Sequence, residues 1–170
     1  METLPEQHIK QKIFPNLTCI SVKAKEWKAQ GEKVVFTNGC FDLLHLGHIT
    51  YLAESAALGD KLIVAINSDA SIKRLKGINR PINDDHSRAV MLASFFFIDG
   101  IIVFDENTPL LTIESIMPDV LVKGGDYTIT QIVGAPEVLA NGGEVRVLDF
   151  VPGYSSTNII NRIRNGTETG

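Results

Sequence analysis

The sequence predicts an α/β fold, a three-layer sandwich with helices on both faces of a central parallel sheet of about five strands. Three observations predict it. Five short runs rich in β-branched residues recur along the chain, separated by longer amphipathic stretches, the pattern of strands joined by crossover helices. The runs are almost continuously apolar rather than alternating, which suits strands covered on both sides. Finally, 170 residues, 44% of them hydrophobic, fill one core without disulfides or a structural metal.

The elements follow in order. Residues 1–30 stand outside the rhythm and read as a helical cover segment, with one weak helix over 21–30 anchored by Trp27. A strand over 33–38 leads to a helix over 47–58, which Leu58-Gly59-Asp60 closes. A strand over 61–66 follows, then a helix over 84–97 capped by Asn83-Asp84, and a strand over 100–104. Asn107-Thr108-Pro109 opens a helix over 109–117, with Pro109 at a first helical position. A strand over 119–123 comes next, then a helix over 135–140 ended by Asn141-Gly142-Gly143, a strand over 144–148 and a last helix over 157–163. Residues 31–164 thus form one domain, and the polar residues 165–170 read as a frayed tail.

The 16 Lys and Arg against 20 Asp and Glu leave a net charge of -4. Neither nucleic acid nor an acidic membrane is an expected partner, because both reward a basic excess. No apolar run approaches the roughly 20 residues that cross a bilayer, and the polar start is no secretory signal. Two cysteines, Cys19 and Cys40, fit a reducing cytoplasm. Phe95-Phe96-Phe97 carry more apolar bulk than one helix face needs, which points to contact with a second copy of the chain.

Ligands of open parallel sheets bind beyond the carboxyl ends of the strands. The loop after the first strand reads Asn38-Gly39-Cys40-Phe41-Asp42-Leu43-Leu44-His45-Leu46-Gly47-His48. It sets two imidazoles three residues apart at a helix start, where unpaired N–H groups and the helix dipole favour an anion. Neutral imidazole donates a hydrogen bond without the charge that would trap a pyrophosphate, and Gly47 permits close approach. Spacing alone leaves three readings open: a phosphate site, a pair of packed or surface histidines, and zinc bound with Cys40. The zinc reading lacks the spacing and the fourth ligand of a structural centre.

Other loops add candidates. Ser155-Ser156-Thr157, at the last helix start, offers hydroxyls suited to β- and γ-phosphates, with a plain N-cap as the alternative. Lys76 and Lys123 adjoin loop glycines and read as ligand contacts, whereas Arg80 and Arg88 serve either a ligand or the loop after the second strand. Gly124-Gly125 turns the chain, the carboxylate of Asp126 can accept from sugar hydroxyls or help hold Mg²⁺ through water, and that of Asp42 can accept from the acceptor sugar.

Residues 36–52 resemble the nucleotidyltransferase superfamily that carries a His-x-Gly-His signature on a Rossmann-like sheet. The stretch Gly153-Tyr154-Ser155-Ser156-Thr157-Asn158-Ile159-Ile160 is similar to that superfamily's hydroxyl-rich C-terminal motif. Leu75-Lys76-Gly77, Arg80-Pro81-Ile82-Asn83, Arg88, Lys123-Gly124-Gly125-Asp126-Tyr127 and Gly142-Gly143-Glu144-Val145 narrow the likeness. In order and spacing they resemble the heptose 1-phosphate adenylyltransferase family over about 33–163. Two mild departures are Ser156, where relatives often have Thr, and His86-Ser87 before Arg88, where a more charged pair is common.

The resemblance implies transfer of an adenylyl group from ATP to a heptose 1-phosphate, giving ADP-heptose and pyrophosphate for the lipopolysaccharide core or a related glycan. It implies His45, His48 and Lys76 as catalytic groups. Phe36, Asn38, Gly39, Cys40, Phe41, Gly47, Lys123, Ser155, Ser156 and Thr157 are the implied nucleotide contacts, and Asp42, Arg80, Gly125 and Asp126 the implied sugar-phosphate contacts. Mg²⁺ is the expected cofactor, held mainly by nucleotide phosphates. Relatives often fuse the domain behind a sugar kinase. Here no kinase-length region precedes it, so the chain reads as the stand-alone version, with a separate kinase upstream. The alternatives are a cytidylyltransferase acting on glycerol 3-phosphate or another alcohol phosphate, and a regulatory module that binds a nucleotide without turnover. A plain dinucleotide binder ranks last, because the first turn lacks Gly-x-Gly-x-x-Gly.

Overall fold

A computed structural model of the chain describes residues 3–125, 127–149 and 151–166. Its strands are β1 (Ile13–Phe14), β2 (Val34–Gly39), β3 (Lys61–Asn67), β4 (Gly100–Phe104), β5 (Val120–Gly124) and β6 (Glu144–Leu148). They form one parallel sheet in the order β1-β4-β3-β2-β5-β6. The helices are α1 (Leu4–Gln11), α2 (Leu17–Ala29), α3 (Leu46–Ala56), α4 (Asp69–Lys76), α5 (Asp85–Ala93), α6 (Leu110–Ile116), α7 (Ala135–Ala140) and α8 (Ser156–Asn165), with a 3-10 turn at Ile129–Gln131.

Alternation along β2 shows why its run is apolar throughout. Val34 and Phe36 pack with Ile20, Ala24 and Trp27 of α2, Ile113 and Ile116 of α6, and Val138 of α7. Val35 faces the opposite way, towards Tyr51 and Leu52 of α3 and Ala89 and Leu92 of α5. Two cores on two faces make the three-layer, Rossmann-like sandwich.

The sheet differs from expectation by its sixth strand. Ile13 and Phe14 pair with Ile101 and Ile102 at the edge, so the first 30 residues supply an edge strand and a core helix rather than a cover alone. Two residues are too few to show periodicity. Helices α1 and α4 were also not expected. Helix α5 stops at Ser94, short of 97, because the Phe run turns out of it: Phe95 and Phe97 pack inward and Phe96 is 91% exposed. Pro109 sits at the N-cap of α6 with no side-chain cap bond, outside the helix rather than at its first position.

From β2 the chain builds outward through β3 to β4, then returns to place β5 on the other side of β2. The direction of winding therefore reverses between β2 and β5. Helices leave opposite faces on either side of such a point and a crevice opens above the strand ends.

Candidate functional site

The crevice begins with the loop that leaves β2. His45 takes an extended backbone (φ -147, ψ 170) and caps α3. Its Nδ1 accepts from the main-chain N–H of His48 at 3.4 Å, which leaves Nε2 as the protonated nitrogen of the neutral ring. One turn on, the His48 ring stacks on His45 with centroids 3.8 Å apart and meets the edge of Phe41 at 5.2 Å. Gly47 between them keeps this turn close-packed, because a Cβ there would lie 3.2 Å from the His45 ring and 3.3 Å from Tyr154 Cβ, tight enough that either neighbour would have to shift.

Burial pushes the His48 pKa down to about 4, with His45 and Lys76 adding to the effect and the Leu43 carbonyl opposing it. Burial lowers that of His45 as well. Both imidazoles are therefore neutral donors at pH 7. His48 Nδ1 is buried with no hydrogen-bond partner among the described residues.

Three adjoining cavities lie along this loop. One of about 540 Å³ sits over the carboxyl ends of the central strands, lined by Asn38, Gly39, Cys40, Phe41, His48, Tyr51, Asn67, Lys76, Lys123 and Tyr127 among others. A second, of about 260 Å³, is bounded by His45, Gly47, His48, Lys76, Arg80, Tyr154 and Ser155, Ser156 and Thr157. A third, of about 540 Å³, continues past His45 and Ser155 to Asn158, Asn161 and Arg162 of α8. His48 and Lys76 belong to both of the first two walls and form the waist between them.

The structure thus brings together most of the residues singled out in the sequence, but on separate sides of that waist. The hydroxyl run lies in the second cavity and Lys123 in the first. The Ser155 side chain caps α8 by accepting from Asn158 N–H at 3.0 Å, and Ser156 Oγ donates to Leu43 O at 3.0 Å, pinning α8 to the histidine loop. Thr157 is exposed on the cavity wall. Lys123 is half-buried at the end of β5, its Nζ donating to Asn38 Oδ1 at 3.2 Å and lying 5.9 Å from the Tyr127 ring centroid.

Four expectations need correction, and one falls outside the described residues. Asp42 is not placed to meet a sugar: it is 1% exposed, and its carboxylate accepts from Arg80 Nε at 2.6 Å, Ile82 N–H at 2.8 and 3.0 Å, and Asn83 N–H at 2.9 Å. Burial alone would raise its pKa, but the Asn83 and Ile82 N–H groups and Arg80 outweigh that and hold it below the usual carboxylate range. Phe36 is fully buried in mid-strand, flanked by Ile63 and Leu121, so neither side chain nor ladder-bonded backbone reaches the cavity. Gly125 (φ 108) shapes the end of β5, its N–H donating to Leu148 O at 3.0 Å. Asp126 lies outside the described residues.

Arg80, implied above as a sugar-phosphate contact, lines the second cavity beside the hydroxyl run instead, while Asp42 holds its Nε. Arg88 is wholly buried and structural: it donates to the carbonyls of Cys40 (2.8 Å), Asn67 (2.7 Å) and Asn83 (3.1 Å) and pairs with Asp69 at 2.9 Å. It ties together the loops after β2 and β3. Sequence reasoning missed Tyr51, Asn67, Tyr154, Asn161 and Arg162 as cavity residues. Asn67 ends β3 and was open to the strand-end rule.

Residues 36–162 match the cytidylyltransferase-like family. The bifunctional protein HldE of Marinomonas sp. (strain MWYL1) is 62% identical over 132 residues, which cover 78% of this chain and 28% of that protein. The bifunctional protein HldE of Pectobacterium atrosepticum is 56% identical over 140 residues, 82% of this chain and 29% of that protein. The chain therefore spans less than a third of the length of these relatives. A crystal structure of the lipopolysaccharide core biosynthesis protein from Thermoplasma volcanium GSS1 superimposes with a TM-score of 0.57 and 32% identity, covering 71% of this chain and 98% of that one.

Proposed function

Because the chain belongs to the cytidylyltransferase-like family, we propose that it transfers an adenylyl group from ATP to a heptose 1-phosphate, releasing pyrophosphate and forming ADP-heptose. The observation that carries this reading is the pair of neutral, stacked imidazoles beside Lys76 at the start of α3. A sugar phosphate is already an anionic nucleophile, so the site needs no general base and no covalent enzyme intermediate. An oxygen of the sugar phosphate bonds to the α-phosphorus, the bond to the β-phosphate oxygen breaks, and its electron pair leaves with pyrophosphate. His45 and His48 donate to the oxygens on which charge grows, Lys76 adds a cation, and Arg80 and Thr157 receive the pyrophosphate.

Mg²⁺ is part of the proposal. Among the described residues no three His, Cys, Asp or Glu side chains cluster to hold a metal, and Asp42 is committed to Arg80, Ile82 and Asn83. Such neutral and cationic walls would suit an ion held by phosphate oxygens and water, and the Thr157 hydroxyl on the cavity wall could add one neutral oxygen. When bound, the ion offsets the charge of the leaving pyrophosphate.

The choice of sugar rests on the family resemblance and on similarity to a protein of lipopolysaccharide core biosynthesis. A kinase that phosphorylates an anomeric hydroxyl would supply such a substrate. No helix among the described residues is long and apolar enough to cross a membrane. A cytoplasmic setting, where ATP is available, and self-association through exposed Phe96 belong to the same reading.

The test is pyrophosphate release with Mg²⁺, each nucleoside triphosphate and a panel of sugar and alcohol phosphates. ATP with a heptose 1-phosphate should be the productive pair. Turnover with CTP and glycerol 3-phosphate and none with ATP overturns the assignment. Nucleotide binding without turnover on any pair makes the chain a regulatory module.

A further inference from the structure

We propose that Tyr51 is a positioning residue for the reaction: its hydroxyl, bonded to Thr37 in the sheet, sets where α3 stands on β2 and so where His48 meets the α-phosphate. This rests on the function proposed above. Tyr51 acts through His48 and not on a substrate.

The argument begins from two hydroxyls buried where apolar groups would do. After Val34, Val35 and Phe36, β2 continues with Thr37, which is 0% exposed between Val64 of β3 and Val122 of β5. Two positions after Val35, Thr37 faces the same side of the sheet, towards α3. There its Oγ1 lies 2.6 Å from Tyr51 Oη, and Tyr51 is itself buried. Burial pushes the Tyr51 phenol up to about 12, with Thr37 and Ser55 opposing, so it stays neutral and serves as no base. Burying two hydroxyls to form one bond between them adds little stability, because Val and Phe of similar shape would leave nothing to pair.

What the bond adds is direction. Among the described residues it is the one hydrogen bond between α3 and the sheet. The rest of the packing on this face, with Leu52, Val35 and Val64, is apolar and does not by itself fix how far the helix slides along the strand. His48 stands one turn before Tyr51 on the same helix, and both line the first cavity. A shift of α3 along β2 therefore carries the imidazole with it, and a misplacement of about 1 Å at a reacting centre can cost about 10²-fold in rate. The histidine loop is pinned separately from α8, by Ser156 Oγ on Leu43 O at 3.0 Å, so the Tyr51 bond fixes the helix from the sheet side.

The experiment compares Tyr51→Phe, Thr37→Val and the two changes together for melting temperature, kcat per folded molecule and both KM values. Each single change leaves one buried hydroxyl without its partner, so each should melt below the unchanged protein, and the double variant should regain most of that loss. The rate should not follow. kcat should fall about 10-fold in each single variant and stay as low in the double one, with KM for ATP and for heptose 1-phosphate nearly unchanged. Thr37→Ser keeps the hydroxyl and should keep most of kcat. An unchanged kcat in the single variants, or a kcat that recovers with stability in the double variant, makes the pair merely structural and overturns the proposal. A rise in either KM with kcat kept puts the hydroxyl on a substrate and overturns it as well.

An NMR titration separates this failure from failure of the function. If the unchanged protein makes no pyrophosphate with any heptose 1-phosphate, the reaction assigned above is wrong. The placement of the imidazole is then read from the ring resonances of His48, whose pKa burial holds at about 4. In the double variant it should move up towards the ordinary 6.5 as the helix loosens and water reaches the ring. A His48 titration identical in the two proteins rejects the placement.

Discussion

The two ends of the sheet follow opposite rules. At the amino end one device is used three times: an aspartate just before a strand exchanges two hydrogen bonds with the start of the neighbouring strand. Asp60 gives its N–H to Lys33 O and accepts from Lys33 N–H, both at 2.8 Å. Asp99 does the same with Leu62, both bonds 2.9 Å, and Asp119 with Val34 at 2.9 and 2.8 Å. Backbone groups that would otherwise fray are paired locally. At the carboxyl end, His48 Nδ1 is buried without a partner and Lys123 has an amide where a carboxylate would suit it. The difference is between an end whose polar groups are paired within the fold and an end where pairing is less complete.

Mutations should separate the two ends. The largest effect belongs to the imidazoles: His48→Ala should lower kcat by about 10² to 10³, as loss of one donor to transition-state charge does. Nucleotide affinity and melting temperature should move far less. An equal loss of stability and activity would make His48 an ordinary packed residue.

Asp42→Ala comes next and affects both ledgers. It strips Arg80, Ile82 and Asn83 of their acceptor, so denaturant titration should show a loss of about 3 kcal/mol, the range for breaking a buried pair. Activity should fall because Arg80 and the segment after Lys76 lose their anchor. Full stability with a raised KM for sugar phosphate alone would return Asp42 to the substrate.

Smaller still is Asp119→Ala at the amino end, expected to cost about 1 to 2 kcal/mol of stability while kcat and both KM values per folded molecule stay unchanged. A change in either KM would show that the two ends are coupled.

The smallest effect is a pH dependence. His48 titrates at about 4 when folded against an ordinary 6.5, so in that window the unfolded chain takes up a proton that the native protein does not. Stability should therefore be full above pH 6.5 and decline as pH falls towards 4. Melting curves of His48→Ala should lack this part of the decline. An identical pH profile in the variant would place the His48 pKa near its ordinary value.

The same contrast governs what could be read in the sequence. Strands β2 to β6 were legible because burial on both faces writes a continuous apolar run, and the two histidines because a helix start is a local feature. Helix α1 carried a readable signal that was missed: Thr3 and Glu6 form a capping box, with Pro5 in the first turn. Ser68 likewise caps α4 by accepting from Ser71 N–H at 3.0 Å, but the helix is short and polar. The role of Asp42 was not legible. Its partners lie some 40 positions away, and a carboxylate that holds a loop has the same local sequence as one that binds a sugar. For Lys123 the residue was legible as a ligand contact, but its side of the crevice was not, because that depends on how β5 sits beside β2.

The central claim is that the carboxyl end performs one direct displacement at the α-phosphorus, with the entering and leaving oxygens on opposite sides of that atom. The most direct test is the stereochemical course of the reaction. Heptose 1-phosphate would be supplied with ATP carrying a single chiral sulfur at the α-phosphate, and the configuration of the nucleotide sugar read by phosphorus NMR. One in-line displacement predicts inversion at that phosphorus. Retention would reveal two successive displacements through a covalent enzyme intermediate and would contradict the account.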